Sequence, residues 1–299
     1  MNRAPSTPGR VAFVGSGPGD PGLLTVRARD AIAAAPLLVT DPDVPEGVLA
    51  LVADGAEVRP AVGEPADVAA ALVAEATAGR PVVRLVGGDP LTADAVVAET
   101  VAVAAAGVPF DVVPGVGTGT AVPAYAGVPL GSAHVEADVR GRVDWAALAN
   151  ATGPLVLHAT SAHLADIVVG LTEHGVTPTT PVAVTASGTL TAQKTVQTTL
   201  ASLTGAGGDL DGPLVVTIGA AVEQRDRLSW WESRALYGWR VLVPRTKDQA
   251  GVMSDRLAVH GATAEEVPTI AVEPPRSPRP PDRSCCTPPR RTCPTSWRT

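Results

Sequence analysis

The sequence contains few residues that could cross-link the chain or anchor it to a membrane. It has three cysteines in 299 residues, and all of them (Cys285, Cys286 and Cys293) lie near the carboxyl terminus. They lack CxxC spacing and a nearby histidine, so we expect neither a disulfide framework nor a metal site. No apolar run reaches the roughly 18 residues of a membrane helix, and residues 1–10 lack the apolar core of a signal peptide. The sequence therefore favours a cytoplasmic location without a membrane partner.

Basic residues are also scarce in most of the chain. Residues 1–222 contain ten basic and 21 acidic side chains, a net charge of −11. This excess of acid argues against nucleic acid as a main partner. Residues 275–299 differ, with six arginines, seven prolines and no aliphatic residue. We expect a disordered basic tail there, because such a composition cannot form a core. Two interpretations remain open: a natural tail, or the product of a shifted reading frame.

Short apolar runs alternate with alanine-rich helical segments through the first 130 residues. The pattern predicts strands at 11–15, 37–41, 81–86 and 110–113, and helices at 23–35, 46–53, 66–78 and 93–106. Apolar strands separated by helices are typical of a parallel α/β sheet covered on both faces. Ligands of such sheets bind beyond the carboxyl ends of the strands.

The rest of the chain divides into further segments. After a polar crossover at 131–153, a second α/β unit is predicted, with strands at 155–158, 181–185, 195–198 and 214–218 and a helix at 162–173. We therefore expect five segments: domains at 9–130 and 131–222, a linker at 223–237, a fragment at 238–274 and the tail. The linker is charged and is expected to dock through Trp230 and Trp231. The fragment contains one β-α-β pattern, which is too small to bury both faces of its sheet.

Three glycine-rich loops follow three of the predicted strands. The first runs from Gly15 to Gly22, the second is Gly87-Gly88-Asp89-Pro90, and the third spans 114–119. Glycine allows the backbone to approach a ligand closely and to adopt positive φ. The first loop formally fits a dinucleotide fingerprint, but Pro18 and Pro21 remove two amide donors that a pyrophosphate would need. Three such loops at strand ends predict one binding crevice.

The sequence of these loops resembles a known family. The segments GSGPGDPGLLTVRA, VVRLVGGDP, AAAGVPFDVVPGV, AYAGVPL and, further on, PVAVTASGT closely resemble signatures of the tetrapyrrole methylases, and best those of uroporphyrinogen-III C-methyltransferases. The resemblance covers residues 11–222. Residues 228–275 resemble the beginning of uroporphyrinogen-III synthases, in the order in which the two are fused in actinobacteria.

The resemblance implies a fold, an activity and a set of site residues. The fold is two α/β domains with S-adenosylmethionine between them, and the reaction is C-methylation of uroporphyrinogen III to precorrin-2 on the way to siroheme and cobalamin. The family also suggests a homodimer. Asp41 matches an aspartate proposed as proton acceptor; a turn or capping role for it is equally open. The positions matching cofactor contacts are Pro18, Gly87, Gly88, Asp89, Thr92, Gly117, Thr118 and Gly188.

Several positions depart from the family pattern. Asp41 is followed by Pro42-Asp43 rather than Arg-Leu, and a lysine proposed as proton donor has no counterpart. The Tyr-Met pair of the second domain is His158-Ala159, where the imidazole is a candidate proton shuttle or a structural residue. Arg27, Arg59 and Arg84 are the candidate anion-binding residues near the motifs. The departures keep an alternative open: a non-catalytic methylase-like module that supports a synthase domain.

Overall fold

The computed structural model describes residues 9–244 and 247–267. They form two five-stranded sheets with helices around them, followed by a two-stranded sheet with one helix. The predicted tail at 275–299 and residues 268–274 of the predicted fragment lie outside the described residues. No helix in the described ranges is long and apolar enough to cross a membrane.

The first sheet is entirely parallel, as the sequence predicts. Its order is β3-β2-β4-β1-β5, formed by β1 (Val11–Gly15), β2 (Leu37–Thr40), β3 (Glu57–Pro60), β4 (Val82–Val86) and β5 (Phe110–Val113). The connecting helices are α1 (Val26–Ala34), α2 (Glu46–Leu49), α3 (Pro65–Thr77) and α4 (Asp94–Ala105). Buried side chains of the sheet join two separate apolar clusters, so helices cover both faces. The strand β3 was not predicted, because its sequence Glu-Val-Arg-Pro is largely exposed at the sheet edge.

The second sheet is mixed. Its order is β6-β7-β10-β8-β9, formed by β6 (Val135–Asp138), β7 (Leu155–Ala159), β8 (Pro181–Ala186), β9 (Lys194–Thr199) and β10 (Leu214–Ile218). Only β6 and β7 pair in parallel among these neighbours, and the other three pairs are antiparallel. The helices around it are α5 (Thr118–Ala126), α6 (Trp145–Ala149), α7 (Leu164–Glu173), α8 (Leu203–Gly207) and α9 (Arg225–Leu228). The core lies between this sheet and α6, α7 and α8.

The stretch predicted as a polar crossover contains two elements, β6 and α6. Its apolar side chains Val135 and Ala137 pack on the core, while Glu136 and Asp138 alternate onto the other face. The alternation is only four residues long, and so the segment looks polar in sequence. The acidic face of β6 lies beside the functional site described below.

The last described unit has the predicted β-α-β order. It consists of β11 (Arg240–Val243), α10 (Lys247–Val259) and β12 (Thr263–Glu266), with the two strands parallel. Trp239 and Leu242 are exposed on it. A sheet of two strands leaves apolar surface uncovered, because one helix can shield only one of its faces.

Candidate functional site

The three predicted glycine loops meet at one place. They follow β1, β4 and β5, which are neighbours in the first sheet. Gly17 and Gly88 exchange backbone hydrogen bonds in both directions, at 3.2 and 2.8 Å. The amide of Gly115 donates to Oδ2 of Asp89 at 3.0 Å. The structure therefore joins the loops into one continuous backbone surface at the carboxyl ends of the strands.

Close approach of the backbone explains why glycine stands at the centre of this surface. A Cβ atom on Gly15 would lie 2.5 Å from the carbonyl oxygen of Gly88, and one on Gly115 would overlap the same oxygen. Gly88 itself has a φ of +64°, in the left-handed region that favours glycine. Any larger residue at these positions would push the loops apart.

Asp89 connects two of the loops through its carboxylate. Oδ1 accepts from the amide of Leu91 at 3.1 Å, while Oδ2 takes the Gly115 bond. The hydroxyl of Thr92 donates to the carbonyl of Asp89 at 2.8 Å. Both carboxylate oxygens thus have backbone partners, and each retains lone-pair capacity for a ligand. The sequence did not reveal this connecting role.

The other predicted cofactor residues surround the same surface. Pro18 and Asp89 are half-buried, and Gly87 is exposed at the loop crest. Gly117 is the residue before α5, and the Thr118 hydroxyl lies against Gly88, where an added Cβ would be 3.1 Å from its Oγ1. The amides of the first turn of α5 therefore lie beside the glycine loops.

The second domain contributes the loop 187–189, which contains Gly188. A Cβ on Gly188 would overlap the side chain of Val122 on α5, and a Cβ on Gly19 would lie 3.3 Å from the Gly188 carbonyl. Ser187 and Thr189 are in the left-handed region at φ +49° and +67°. Such backbone costs about 1–3 kcal/mol for each non-glycine residue, and strain of this kind concentrates at functional sites. The structure thus places Gly188 at the same surface as the three loops.

Asp41 lies at the end of β2 in a buried ionic cluster. Its Oδ1 is 2.7 Å from Nη1 of Arg84, whose Nε and Nη2 bind the two carboxylate oxygens of Glu99 at 2.7 and 2.9 Å. The side chains of Arg84 and Glu99 are each 3% exposed, and that of Asp41 is 22% exposed. Burial alone would lower the pKa of Arg84, but its bonds to Glu99 and the charge of Asp41 raise it. Arg84 therefore stays charged and holds Asp41 in place.

The expectation that arginines near the motifs bind anions is wrong for two of the three. Arg84 is buried and committed to Asp41 and Glu99. Arg59 lies between two carboxylates, at 2.5 Å from Glu57 and 2.6 Å from Glu75. Both guanidinium groups are neutralised by carboxylates of the fold. Of the three candidates, Arg27 is the one whose side chain is exposed and can bind an anion of a ligand.

A second group of charged side chains, on β6 and β7 and just after β6, faces the loops. His158 Nε2 is 2.6 Å from Oε1 of Glu136, whose carboxylate lies against Gly119 in the first turn of α5. The hydrogen bond from His158 lowers the pKa of Glu136, and burial opposes it. Asp138 pairs with Arg140 at 2.6 Å, and the charge of Asp43 in the first domain also acts on Arg140. We call Glu136, Asp138, Arg140 and His158 the charged wall.

Asp20 is a site residue that the sequence analysis did not select. Its Oδ1 accepts from the amide of Gly22 at 2.7 Å, and the hydroxyl of Tyr125 donates to its Oδ2 at 3.3 Å. Burial and the Asp20 carboxylate raise the pKa of Tyr125, so the phenol remains a donor. The Asp-Pro-Gly sequence is a turn signal that could have indicated the cap. The contact with Tyr125, 105 positions away, has no such signal.

Together, the two sheets and the backbone loops between them define a two-domain α/β protein. We call the region where the glycine loops, the 187–189 loop and the charged wall meet the cleft. Residues 10–204 match the family model of the Tetrapyrrole (Corrin/Porphyrin) Methylases. The chain belongs to this family, and its predicted fold class is confirmed.

Individual relatives agree with this assignment. The chain is 37% identical over 246 residues to a siroheme synthase of Neisseria meningitidis serogroup A, covering 76% of this chain and 50% of that protein. It thus spans about half the length of the curated relatives it matches. Uroporphyrin-III C-methyltransferase of Thermus thermophilus is 31% identical, with a TM-score of 0.63 over 74% of this chain and 96% of that one. A structure of the Thermus enzyme complexed with S-adenosylhomocysteine is 30% identical, with a TM-score of 0.64 over 72% and 99% of the two chains.

Proposed function

We propose that this chain transfers methyl groups from S-adenosylmethionine to carbon atoms of uroporphyrinogen III, giving precorrin-2. The observation that carries the proposal is the meeting of the three glycine loops, with the 187–189 loop against the first of them, at the domain boundary of a tetrapyrrole methylase. The Thermus relative of the same fold is a uroporphyrin-III C-methyltransferase, and one of its structures holds S-adenosylhomocysteine.

The residues present fit such a cofactor. The surface consists of backbone amides and carbonyls that glycine keeps open, and Asp89 retains lone pairs that can accept from a ribose hydroxyl. We assign cofactor contacts to the predicted set, Pro18, Gly87, Gly88, Asp89, Thr92, Gly117, Thr118 and Gly188. The cofactor supplies a methyl group on a sulfonium, which is already activated for transfer.

The protein then has two tasks, alignment and proton removal. Alignment is the larger contribution, because holding the reacting atoms in register removes most of the entropic barrier. When a pyrrole carbon takes the methyl group from the sulfonium, the positive charge passes to the macrocycle. The macrocycle must then lose a proton to become neutral again. We assign acceptance of this proton to Asp41, which its contact with Arg84 fixes at the end of β2. His158 in the charged wall is the second candidate acceptor.

Asp41→Asn tests the catalytic assignment. Asparagine keeps the shape of the side chain but cannot accept a proton, so we expect kcat to fall by about 100-fold or more. The dissociation constant for S-adenosylhomocysteine, measured by calorimetric titration, should change less than about threefold. Asp54→Asn is the control, since Asp54 is an exposed acid between α2 and β3, and it should retain most activity.

The binding experiment separates the proposal from its alternative. If the unmodified chain binds no S-adenosylhomocysteine at millimolar concentration, it is a non-catalytic module and the proposal is wrong. If it binds but Asp41→Asn remains fully active, the cofactor assignment stands and the proton goes elsewhere. His158→Gln is then the next variant.

We also propose the finer organisation that the sequence implies. Domains at 9–130 and 131–222 form the methylase, 223–237 is a linker, and 238–274 begin a uroporphyrinogen-III synthase domain. The β-α-β order of β11, α10 and β12 and the exposed Trp239 and Leu242 support a unit that packs against further structure. We propose a homodimer, which sedimentation equilibrium would test by a mass of twice the monomer.

A further inference from the structure

The linker at 223–237 makes specific hydrogen bonds to the methylase rather than passing over it. Trp231 is buried, and its Nε1 donates to the carbonyl of Leu190 at 3.1 Å. Nε1 of Trp230 donates to the carbonyl of Ala124 on α5 at 3.0 Å. The hydroxyl of Tyr237 donates to the carbonyl of Gln193 at 2.7 Å. The linker is thus fixed both to α5 and to the segment that follows the 187–189 loop.

Gln193 connects the linker to the 187–189 loop through one buried side chain. It is 1% exposed, its Oε1 accepts from the amide of Thr189 at 2.8 Å, and its Nε2 donates to Oε1 of Glu232 at 3.0 Å. Oε2 of Glu232 accepts from Arg225 at 2.6 Å. The left-handed backbone of Thr189 therefore depends on a hydrogen-bonded chain that begins in the linker.

The same chain reaches the first glycine loop by two routes. The amide of Asp20 donates to Oγ1 of Thr189 at 3.1 Å. The carboxylate of Asp20 accepts from Tyr125, whose ring lies 4.7 Å from that of Trp231. The first and last loops of the cleft are thus fixed to each other and to the linker. A strained backbone persists only where its surroundings determine it fully.

We propose that Gln193 and Glu232 are positioning residues of the cofactor site, so that the linker sets the conformation of the 187–189 loop and, through it, the affinity for the cofactor. The effect on cofactor affinity rests on the proposed function, whereas the effect on the conformation of the 187–189 loop does not. Neither residue needs to touch the ligand, because each acts through the amide of Thr189. The unit of β11, α10 and β12 also contacts this region, because the hydroxyl of Thr263 donates to the hydroxyl of Thr191 at 3.1 Å.

An exchange of the two side chains provides the test. Gln193→Glu places a second carboxylate against Glu232 and breaks the chain by repulsion. The double variant Q193E/E232Q can restore all of these bonds, with only the bond between positions 193 and 232 reversed in direction. Its carboxylate at position 193 can accept from Thr189 and from the amide group at position 232, whose oxygen can still accept from Arg225. Glu223→Gln is the matched control, since Glu223 is an exposed acid at the beginning of the linker.

Two measurements on each variant separate positioning from general stability. Amide hydrogen exchange without ligand should accelerate about tenfold at Thr189 and Asp20 in Q193E, return towards the parent rate in the double variant, and remain unchanged at Leu157 in the core of the second sheet. The dissociation constant for S-adenosylhomocysteine should rise about tenfold in Q193E and recover in the double variant.

The possible outcomes are distinct. If exchange at Thr189 does not change in Q193E, or if the double variant is no closer to the parent than the single one, the inference is overturned. Acceleration at Leu157 to the same extent also overturns it, because the effect is then global unfolding. If the parent binds no S-adenosylhomocysteine, the proposed function fails, while the exchange rates still decide whether the linker positions the loop.

Discussion

The two sides of the cleft are built in different ways. On the first-domain side, the surface is backbone, kept open by glycine and supported from below by the buried cluster of Asp41, Arg84 and Glu99. On the second-domain side, the charged wall consists of side chains on β6 and β7 and just after β6 that remain partly exposed. The first side thus presents mainly fixed backbone, whereas the second presents charged side chains.

This difference assigns separate tasks to the two sides. Backbone surfaces bind an invariant ligand well, because their donors and acceptors are fixed before the ligand arrives. Titratable side chains suit a ligand whose charge must be balanced or whose protons move. We therefore expect changes on the first-domain side to reduce stability strongly, and changes on the charged wall to reduce it weakly and in a pH-dependent way.

The largest effect is expected from Glu99→Gln. Glutamine removes one of the two anions that neutralise Arg84 and leaves a buried guanidinium donor opposite an amide donor. Because a broken buried ion pair leaves an uncompensated charge, we expect the free energy of unfolding to fall by about 3 kcal/mol. Urea denaturation at neutral pH measures this loss.

The control is Glu57→Gln, which removes two exposed ion pairs, one with Arg59 and one with Arg80. Exposed pairs contribute little, so we expect a much smaller loss than for Glu99→Gln. A loss below about 1 kcal/mol for Glu99→Gln would contradict the view that the buried cluster supports the first-domain side.

The backbone side of the cleft could be predicted from the sequence and the side-chain pairings could not. Gly17, Gly88 and Gly115 lie in local motifs directly after apolar strands, and the ends of parallel strands meet at one edge of a sheet. The cluster of Arg84 and Glu99 joins β4 to α4, and only the packed register brings these side chains together. No local pattern encodes such a contact.

The elements that could not be predicted have compositions that are unusual for their secondary structure. The helix α5 contains Gly119 and Pro123, which are poor helix formers, yet both are buried, and α5 packs against β7, β8 and β10 of the second sheet. Tertiary packing there overrides local propensity. In the same way, no local pattern reveals the pairing of Gln193 with Glu232, since this bond crosses 39 positions of sequence.

Gly115→Ala should have the next largest effect. The added methyl group would overlap the carbonyl oxygen of Gly88, and both neighbours are backbone that cannot rotate away. We expect a loss of about 2 kcal/mol in the free energy of unfolding, as for overpacked sites. Hydrogen exchange at Gly17 and Gly88 should accelerate, because their paired amides would separate.

Gly141→Ala is the control from the other side of the cleft. Gly141 is exposed beside the charged wall, and an added Cβ there meets no atom within 4 Å in the described residues. We expect the free energy of unfolding to change by no more than about 0.5 kcal/mol. Equal losses for the two glycines would show that the close backbone approach at Gly115 is not needed.

The smallest effect, and the most informative about the charged wall, is expected from Glu136→Gln. The hydrogen bond from His158 lowers the pKa of Glu136 below its ordinary value of 4.5. A carboxyl group with a lowered pKa in the folded state stabilises the fold above that ordinary value, and this contribution disappears as the pH falls through the lowered pKa. At neutral pH, the free energy of unfolding of the parent should therefore be higher than that of the variant, by less than about 1 kcal/mol because the pair is partly exposed.

Urea denaturation from neutral pH down to about pH 3 measures how the difference between parent and variant shrinks on acidification. Glu173→Gln, an exposed acid at the end of α7, should show no such convergence. In His158→Gln, carbon NMR should find the pKa of Glu136 shifted back towards its ordinary value, because the largest cause of the lowering is gone. If the pKa stays low without the imidazole, the amide of Gly119 at the start of α5 holds the carboxylate instead. The charged wall would then resemble the opposite side of the cleft, with backbone rather than a titratable partner setting its charge.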